Sequence, residues 1–140
     1  MKSSKHKTAQ RMVSSHYRKS GWISTVEHYI KGKKIDVLAQ NIKTKYIIAN
    51  EIELTPRHCL ENIKIDLGVG CNEVVIICED PAVLEAIRRK ARKSLVKNIL
   101  SKVSFLLIDE YIPHLNNGIN SSSRNMREFN TETNAENNPE

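Results

Sequence analysis

The sequence predicts an α/β domain in which a mixed β-sheet is flanked by helices. Three observations carry this. Strand-like segments follow one another from residue 22 to residue 54 with only short polar links. A helical pattern then separates the last of them from "EVVIIC" (73–78), a continuous apolar run of the kind that forms a buried central strand. A second helical pattern leads from there into "KVSFLLID" (102–109). The predicted order is α-β-β-β-α-β-α-β.

The chain opens with "SSKHKTAQRMVSSHYRKSG", which reads as a basic helix stopped by Gly21. "WISTVEHYI" (22–30) is rich in aromatic and β-branched residues and suits a strand. Lys31-Gly32-Lys33 supplies a tight turn, and "KIDVLAQ" (34–40) returns as the second strand. Asn41 to Thr44 turns the chain into "KYIIANEIEL" (45–54), the third strand of an antiparallel meander.

Thr55 then offers an N-cap and Pro56 fits the first helical position, where its missing N–H costs nothing. Leu60, Ile63 and Leu67 recur at helical spacing, and Gly68 or Gly70 ends the pattern. A helix between the third strand and "EVVIIC" implies a parallel, right-handed crossover. Asp80-Pro81 opens a further helix with Leu84, Ile87, Ala91 and Leu95 along one face. The organisation expected is a basic helix over 1–20, a core over 21–110 and a polar tail over 111–140. That tail is too poor in large apolar residues to offset the entropy of ordering, and is predicted disordered.

Composition narrows the function. No apolar run approaches the roughly 18–20 residues of a membrane helix, and no apolar signal-peptide core is seen, so a cytoplasmic protein without membrane contact is expected. Cys59, Cys71 and Cys78 form no CxxC pair and are expected as reduced, packed thiols. The histidines are scattered without zinc-ligand spacing. Gly68-Val69-Gly70 follows a helix and precedes a strand, the reverse of a dinucleotide-binding turn.

The formal net charge is +6. Lys5, Lys7, Arg11, Arg18 and Lys19 lie in the acid-free N-terminal segment, and Arg88, Arg89 and Arg92 fall in "RRKARK". Polyanion binding explains such clusters, and so does plain solvation of helix surfaces and C-termini.

The carboxylates are harder to dismiss. Strand alternation puts Ile47, Ala49, Glu51 and Glu53 on one face, and Tyr46, Ile48, Asn50, Ile52 and Leu54 on the other. On the second strand, Ile35, Val37 and Ala39 point one way and Asp36 points with Lys34 and Leu38. Pairing through the Asn41–Thr44 turn sets Asp36 across from the end of the third strand. Acids brought together in a desolvated place raise one another's pKa or require a cation, and hard divalent ions bind through such oxygens. A solvent-facing edge strand accounts for Glu51 and Glu53 equally well at this point. Glu27, sharing a face with Ile23, Thr25 and Tyr29, either completes the cluster or pairs with a lysine.

Asp36 after a Gly-Lys turn, then Glu51-Ile52-Glu53 before a helix, resembles the PD-(D/E)XK nuclease superfamily, with its restriction-endonuclease-like fold. The stretch "GKKIDVLA…YIIANEIELT…ENIKIDLGVGCNEVVIIC" is similar to a branch with an ExE third motif and an "ENI" helix. The resemblance covers roughly residues 20 to 95 and implies a Mg²⁺-dependent (or Mn²⁺-dependent) endodeoxyribonuclease. Asp36 and Glu51 would be metal ligands. Glu53 stands where the family usually has lysine; some restriction endonucleases of the superfamily carry Glu there, as a ligand or as a base toward the nucleophilic water. Asn62 and Lys64 would face the site from the helix, with Lys64 able to replace the absent lysine. Nucleic-acid contacts would come from Lys64 together with the basic residues above. DNA is the implied partner, with a separate ATPase or helicase or a second copy of the chain beside it. A non-catalytic nucleic-acid-binding or assembly module on the same fold is the alternative.

Overall fold

The structure, a computed structural model, describes residues 4–111. The first compact unit runs to Ile108; Asp109 to Tyr111 are the described residues of a second. The expected tail otherwise lies outside the described residues. Helix α1 (Ser4–Lys19) is followed by strands β1 (Ile23–Ile30), β2 (Lys33–Gln40) and β3 (Ile47–Ile52). Then come α2 (Cys59–Gly68), β4 (Glu73–Cys78), α3 (Pro81–Ser94), the short α4 (Lys97–Leu100) and β5 (Val103–Leu107). The sequence pattern did not anticipate α4.

The five strands form one mixed sheet in the order β1-β2-β3-β4-β5. The pairs β1–β2 and β2–β3 are antiparallel, whereas β3–β4 and β4–β5 are parallel. Ala49, Val74, Ile76 and Cys78 share a buried apolar cluster with Cys59 and Ile63 of α2 and with Leu84, Ile87 and Ala91 of α3. Asn50, one residue beyond Ala49, instead accepts a hydrogen bond from Tyr17 Oη of α1 at 3.0 Å. Neighbouring strand residues face opposite ways, so α1 covers one face and α2 with α3 the other. No described helix is long and apolar enough to cross a membrane.

Several element ends depart from the sequence reading, each for a local reason. The β1–β2 connection is a two-residue turn with Lys31 (φ 47°) and Gly32 (φ 84°) both left-handed, the geometry that matches strand twist. Lys33 therefore belongs to β2 and pairs with Ile30, rather than closing the turn. Lys45 is left-handed (φ 68°) and β3 begins only at Ile47. Thr55 caps no helix: its Oγ1 accepts the Arg57 N–H at 3.3 Å in a local turn, and α2 starts at Cys59 after a left-handed His58. Asp80 does cap α3, accepting the Ala82 N–H at 2.8 Å with Pro81 at the first position.

The largest departure lies in β2, whose alternation breaks at Asp36. The β1–β2 ladder pairs Val26 with Val37 and His28 with Ile35 and skips the intervening Glu27 and Asp36. Glu27 is left-handed there (φ 54°), and the β2–β3 ladder stops at Val37–Asn50. Ile35 consequently packs into the apolar cluster with Leu38 instead of sharing a face with Val37 and Ala39.

Candidate active site

The break in β2 is where polar side chains replace main-chain pairing. Asp36 Oδ2 accepts the Ile52 N–H at 2.9 Å and lies 3.4 Å from His6 Nε2 of α1. Gln10 Nε2 donates to the Asp36 carbonyl at 3.2 Å and to Glu27 Oε2 at 3.4 Å. Glu27 is thus linked to Asp36 through Gln10. The residues of α1 turned inward are His6, Gln10, Val13 and Ser14, a largely polar stripe at helical spacing. Asp36 itself is 7% exposed.

A second group lies against α2. Glu51, on the β3 face shared with Ala49, is 4% exposed, and its Oε2 accepts from Lys33 Nζ at 2.9 Å. The same ammonium donates to Asp66 Oδ1 at 2.6 Å. Asp66 is fully buried, one turn past Ile63 on the inward stripe of α2, and its Oδ2 has no hydrogen-bond partner among the described residues as ionised. Glu51 is also within hydrogen-bonding reach of Asp66. Burial first, then that hydrogen bond, then repulsion from Asp66 and Asp36 hold the Glu51 carboxyl far above the usual carboxylate range; Lys33 opposes them. Burial lowers the Lys33 pKa, but its bonds to Asp66 and Glu51 outweigh this and raise it, keeping the ammonium charged.

Glu53 lies just beyond β3, with its N–H donating to the Ile77 carbonyl at 2.9 Å. Its Oε2 accepts from Asn62 Nδ2 at 3.2 Å. Burial raises the Glu53 carboxyl; the Asn62 bond and Lys33 pull it down, while Asp36 and Asp66 push it up. Asp36 is in electrostatic range of both Glu51 and Glu53, so the three predicted acids do converge at one end of β3.

The donor chemistry suits a hard divalent cation: oxygen-only, desolvated, with carboxylates in excess over the single Lys33 ammonium. Among the described residues, however, no three His, Cys, Asp or Glu side chains surround a common point as metal ligands. Each acid has a protein partner instead, and Glu51 already carries the Lys33 ammonium.

Sequence reasoning missed Lys33, Asp66, His6 and Gln10. Asp66 left a signal, seven residues after Cys59 on a stripe that is otherwise apolar. Lys64, offered as the replacement lysine, is exposed on α2, whereas Asn62 does reach the site. The remaining basic residues divide. Arg11, Arg18 and Lys19 line a shallow depression of about 430 Å³ with Ser14, Ser15 and Val26. Arg18 also donates to the Ser24 carbonyl at 3.0 Å. Lys5 pairs with Glu79 at 3.1 Å, and Lys7 is exposed. Arg88 pairs with Glu85 at 3.1 Å and stacks 5.9 Å from the Phe105 ring centre, while Arg89 and Arg92 are exposed on α3. Comparison of the chain with protein-family models, curated proteins and solved structures finds no match.

Proposed function

We propose that the chain is a metal-dependent nuclease that hydrolyses DNA phosphodiester bonds, on a restriction-endonuclease-like fold. The observation that supports this best is the convergence of Asp36 from β2, Glu51 from β3 and Glu53 just beyond it in one desolvated cluster. An antiparallel meander leading into parallel strands is consistent with that fold. Nothing else in the cluster suggests covalent catalysis: the cysteines are free and buried, their thiols raised by burial.

A Mg²⁺ or Mn²⁺ ion held by Asp36 and Glu51 would supply water activation and charge stabilisation at the phosphodiester. The protein's own groups have separate tasks. Asp36 is fixed by the Ile52 N–H, so its carboxylate is pre-oriented. Glu53, raised by burial and bonded by Asn62, would hold or accept a proton from water. Lys33 supplies the positive charge that position 53 lacks. Arg11, Arg18 and Lys19 would meet the phosphate backbone from α1.

The test is incubation of plasmid, single-stranded and branched DNA with Mg²⁺ or Mn²⁺, comparing wild type with Asp36→Asn and Glu51→Gln. Metal-dependent cleavage lost in both variants is expected. Cleavage that survives both removes the assignment. A non-catalytic DNA-binding module is the second reading, favoured by the protein partners that each acid already has. DNA binding without cleavage by the wild type would establish it.

A further inference from the structure

Three cations of α1 meet at one depression with no acid beside them. Arg11, Arg18 and Lys19 line it together with Ser14, Ser15 and Val26. We propose that this depression binds a phosphate monoester, the phosphorylated end of a nucleic-acid strand, in preference to internal phosphodiesters. The inference rests on the nucleic-acid reading of the chain, and neither on cleavage nor on a metal.

Its volume of about 430 Å³ falls within the roughly 300–1,000 Å³ of small-ligand sites. Ion pairs among the described residues engage Lys5, His6, Lys33, His58 and Arg88, but none of these three cations. Arg18 and Lys19 stand in the last turn of α1, where the helix dipole favours cations. Arg11 lies two turns earlier and gains nothing from that end. Residues 11, 14, 15 and 18 recur at i, i+3, i+4 and i+7, so they form one stripe of the helix. The fold holds the donors in place. Arg18 Nη2 donates to the Ser24 carbonyl at 3.0 Å, which anchors the guanidinium and leaves it further N–H groups to give. Ser14, 4% exposed, accepts the Ser24 hydroxyl at 2.8 Å and keeps its own proton as a donor.

Charge decides between ligands. An internal phosphodiester carries a single negative charge, whereas a monoester approaches a dianion at pH 7 and offers three strong acceptor oxygens. Cations that serve a backbone need only be strung along its path. These three surround a single place, and the dianion neutralises them better.

The experiment is fluorescence anisotropy of the full chain in EDTA with internally labelled oligonucleotides, single-stranded and duplex, bearing a 5′-phosphate, a 3′-phosphate or neither. Wild type is compared with the double variant Arg11→Gln, Lys19→Gln and with Arg88→Gln. A phosphate at one of the ends is expected to tighten binding about tenfold, the worth of one charge-assisted hydrogen bond. The double variant should lose this preference and Arg88→Gln should keep it. Equal binding with and without a terminal phosphate overturns the inference and leaves the nucleic-acid reading standing. Absence of binding to every oligonucleotide overturns both. A preference that survives in the double variant removes it from this depression. Adenosine monophosphate competing as well as the phosphorylated strand overturns the strand end as the ligand and assigns the site to a free nucleotide. If the double variant fails to fold, backbone amide resonances of residues 11–19 in wild type decide. The phosphorylated strand should shift them more than the unphosphorylated one, and identical shifts overturn the proposal.

Discussion

The Asp36 carboxylate bonds the Ile52 N–H at 2.9 Å, just past the point where the β2–β3 ladder ends. One side chain therefore closes the sheet and supplies a site acid. Asp36→Asn keeps an acceptor and should fold as the wild type does. Asp36→Ala strands the buried N–H and should cost about 1–3 kcal/mol in denaturant unfolding. Equal stability of the two variants would show that the bond matters little.

Glu51 gives the stability a pH dependence of definite sign. Its carboxyl titrates higher in the folded protein than in the unfolded chain, so the native state holds an extra proton above the ordinary Glu pKa. Stability contributed by this group is intact below that pKa and is lost as pH rises toward the folded value. The slope is at most about 1.4 kcal/mol per pH unit. Glu51→Gln, which cannot ionise, should gain on the wild type steadily between pH 5 and pH 8 in thermal unfolding. A constant difference across that window would contradict the burial argument.

The thiols should be inert. Burial, with smaller effects from nearby carboxylates, pushes Cys71 up to about 11 and Cys78 up to about 12, and raises Cys59 as well. Thiolate is the reactive form. Iodoacetamide at pH 8 should leave the native protein unlabelled by mass spectrometry and label it fully in urea. Rapid native labelling at any of the three would be inconsistent with their packing.

Salt should report on α1. If Arg11 and Lys19 each neutralise a phosphate, Arg11→Gln with Lys19→Gln should flatten the dependence of log K on log [salt] by about 2. Arg88→Gln, whose guanidinium already serves Glu85 and Phe105, should change the slope less. The opposite ranking would move the nucleic-acid surface to α3.

Lys31 is a lysine in a left-handed position, at the first residue of a two-residue hairpin turn. Asparagine tolerates that conformation better, so Lys31→Asn should stabilise the protein by roughly 0.5–1 kcal/mol. Loss of stability would mean that the lysine side chain makes a contribution of its own.

The helices, strands and the meeting of Asp36 with Glu51 and Glu53 were legible because periodicity and turn chemistry are local. What escaped depends on backbone detail. Reading Lys33 as a turn residue hid the cation of the site, since a two-residue turn of two left-handed residues differs from a three-residue one by where the strand resumes. Strict alternation placed Ile35 with Val37 because no sequence signal marks the left-handed Glu27 that breaks the ladder. His6 and Gln10 sit in a helix whose inward stripe is mostly polar, so hydrophobic spacing could not single them out. Asp66 was readable in principle, as an acid on the otherwise apolar stripe of α2.

Gln10 reaches Asp36 and Tyr17 reaches Asn50 from one helix, seven residues apart. Two turns of helix thus act as a ruler between the two contacts. Adding or deleting one residue between Gln10 and Tyr17 would rotate one contact by about 100° relative to the other. Point substitutions along that span can be absorbed singly, but a change in its length cannot. The spacing within α1, more than the identity of its outer residues, is what keeps the Asp36 end of the sheet in phase with the rest.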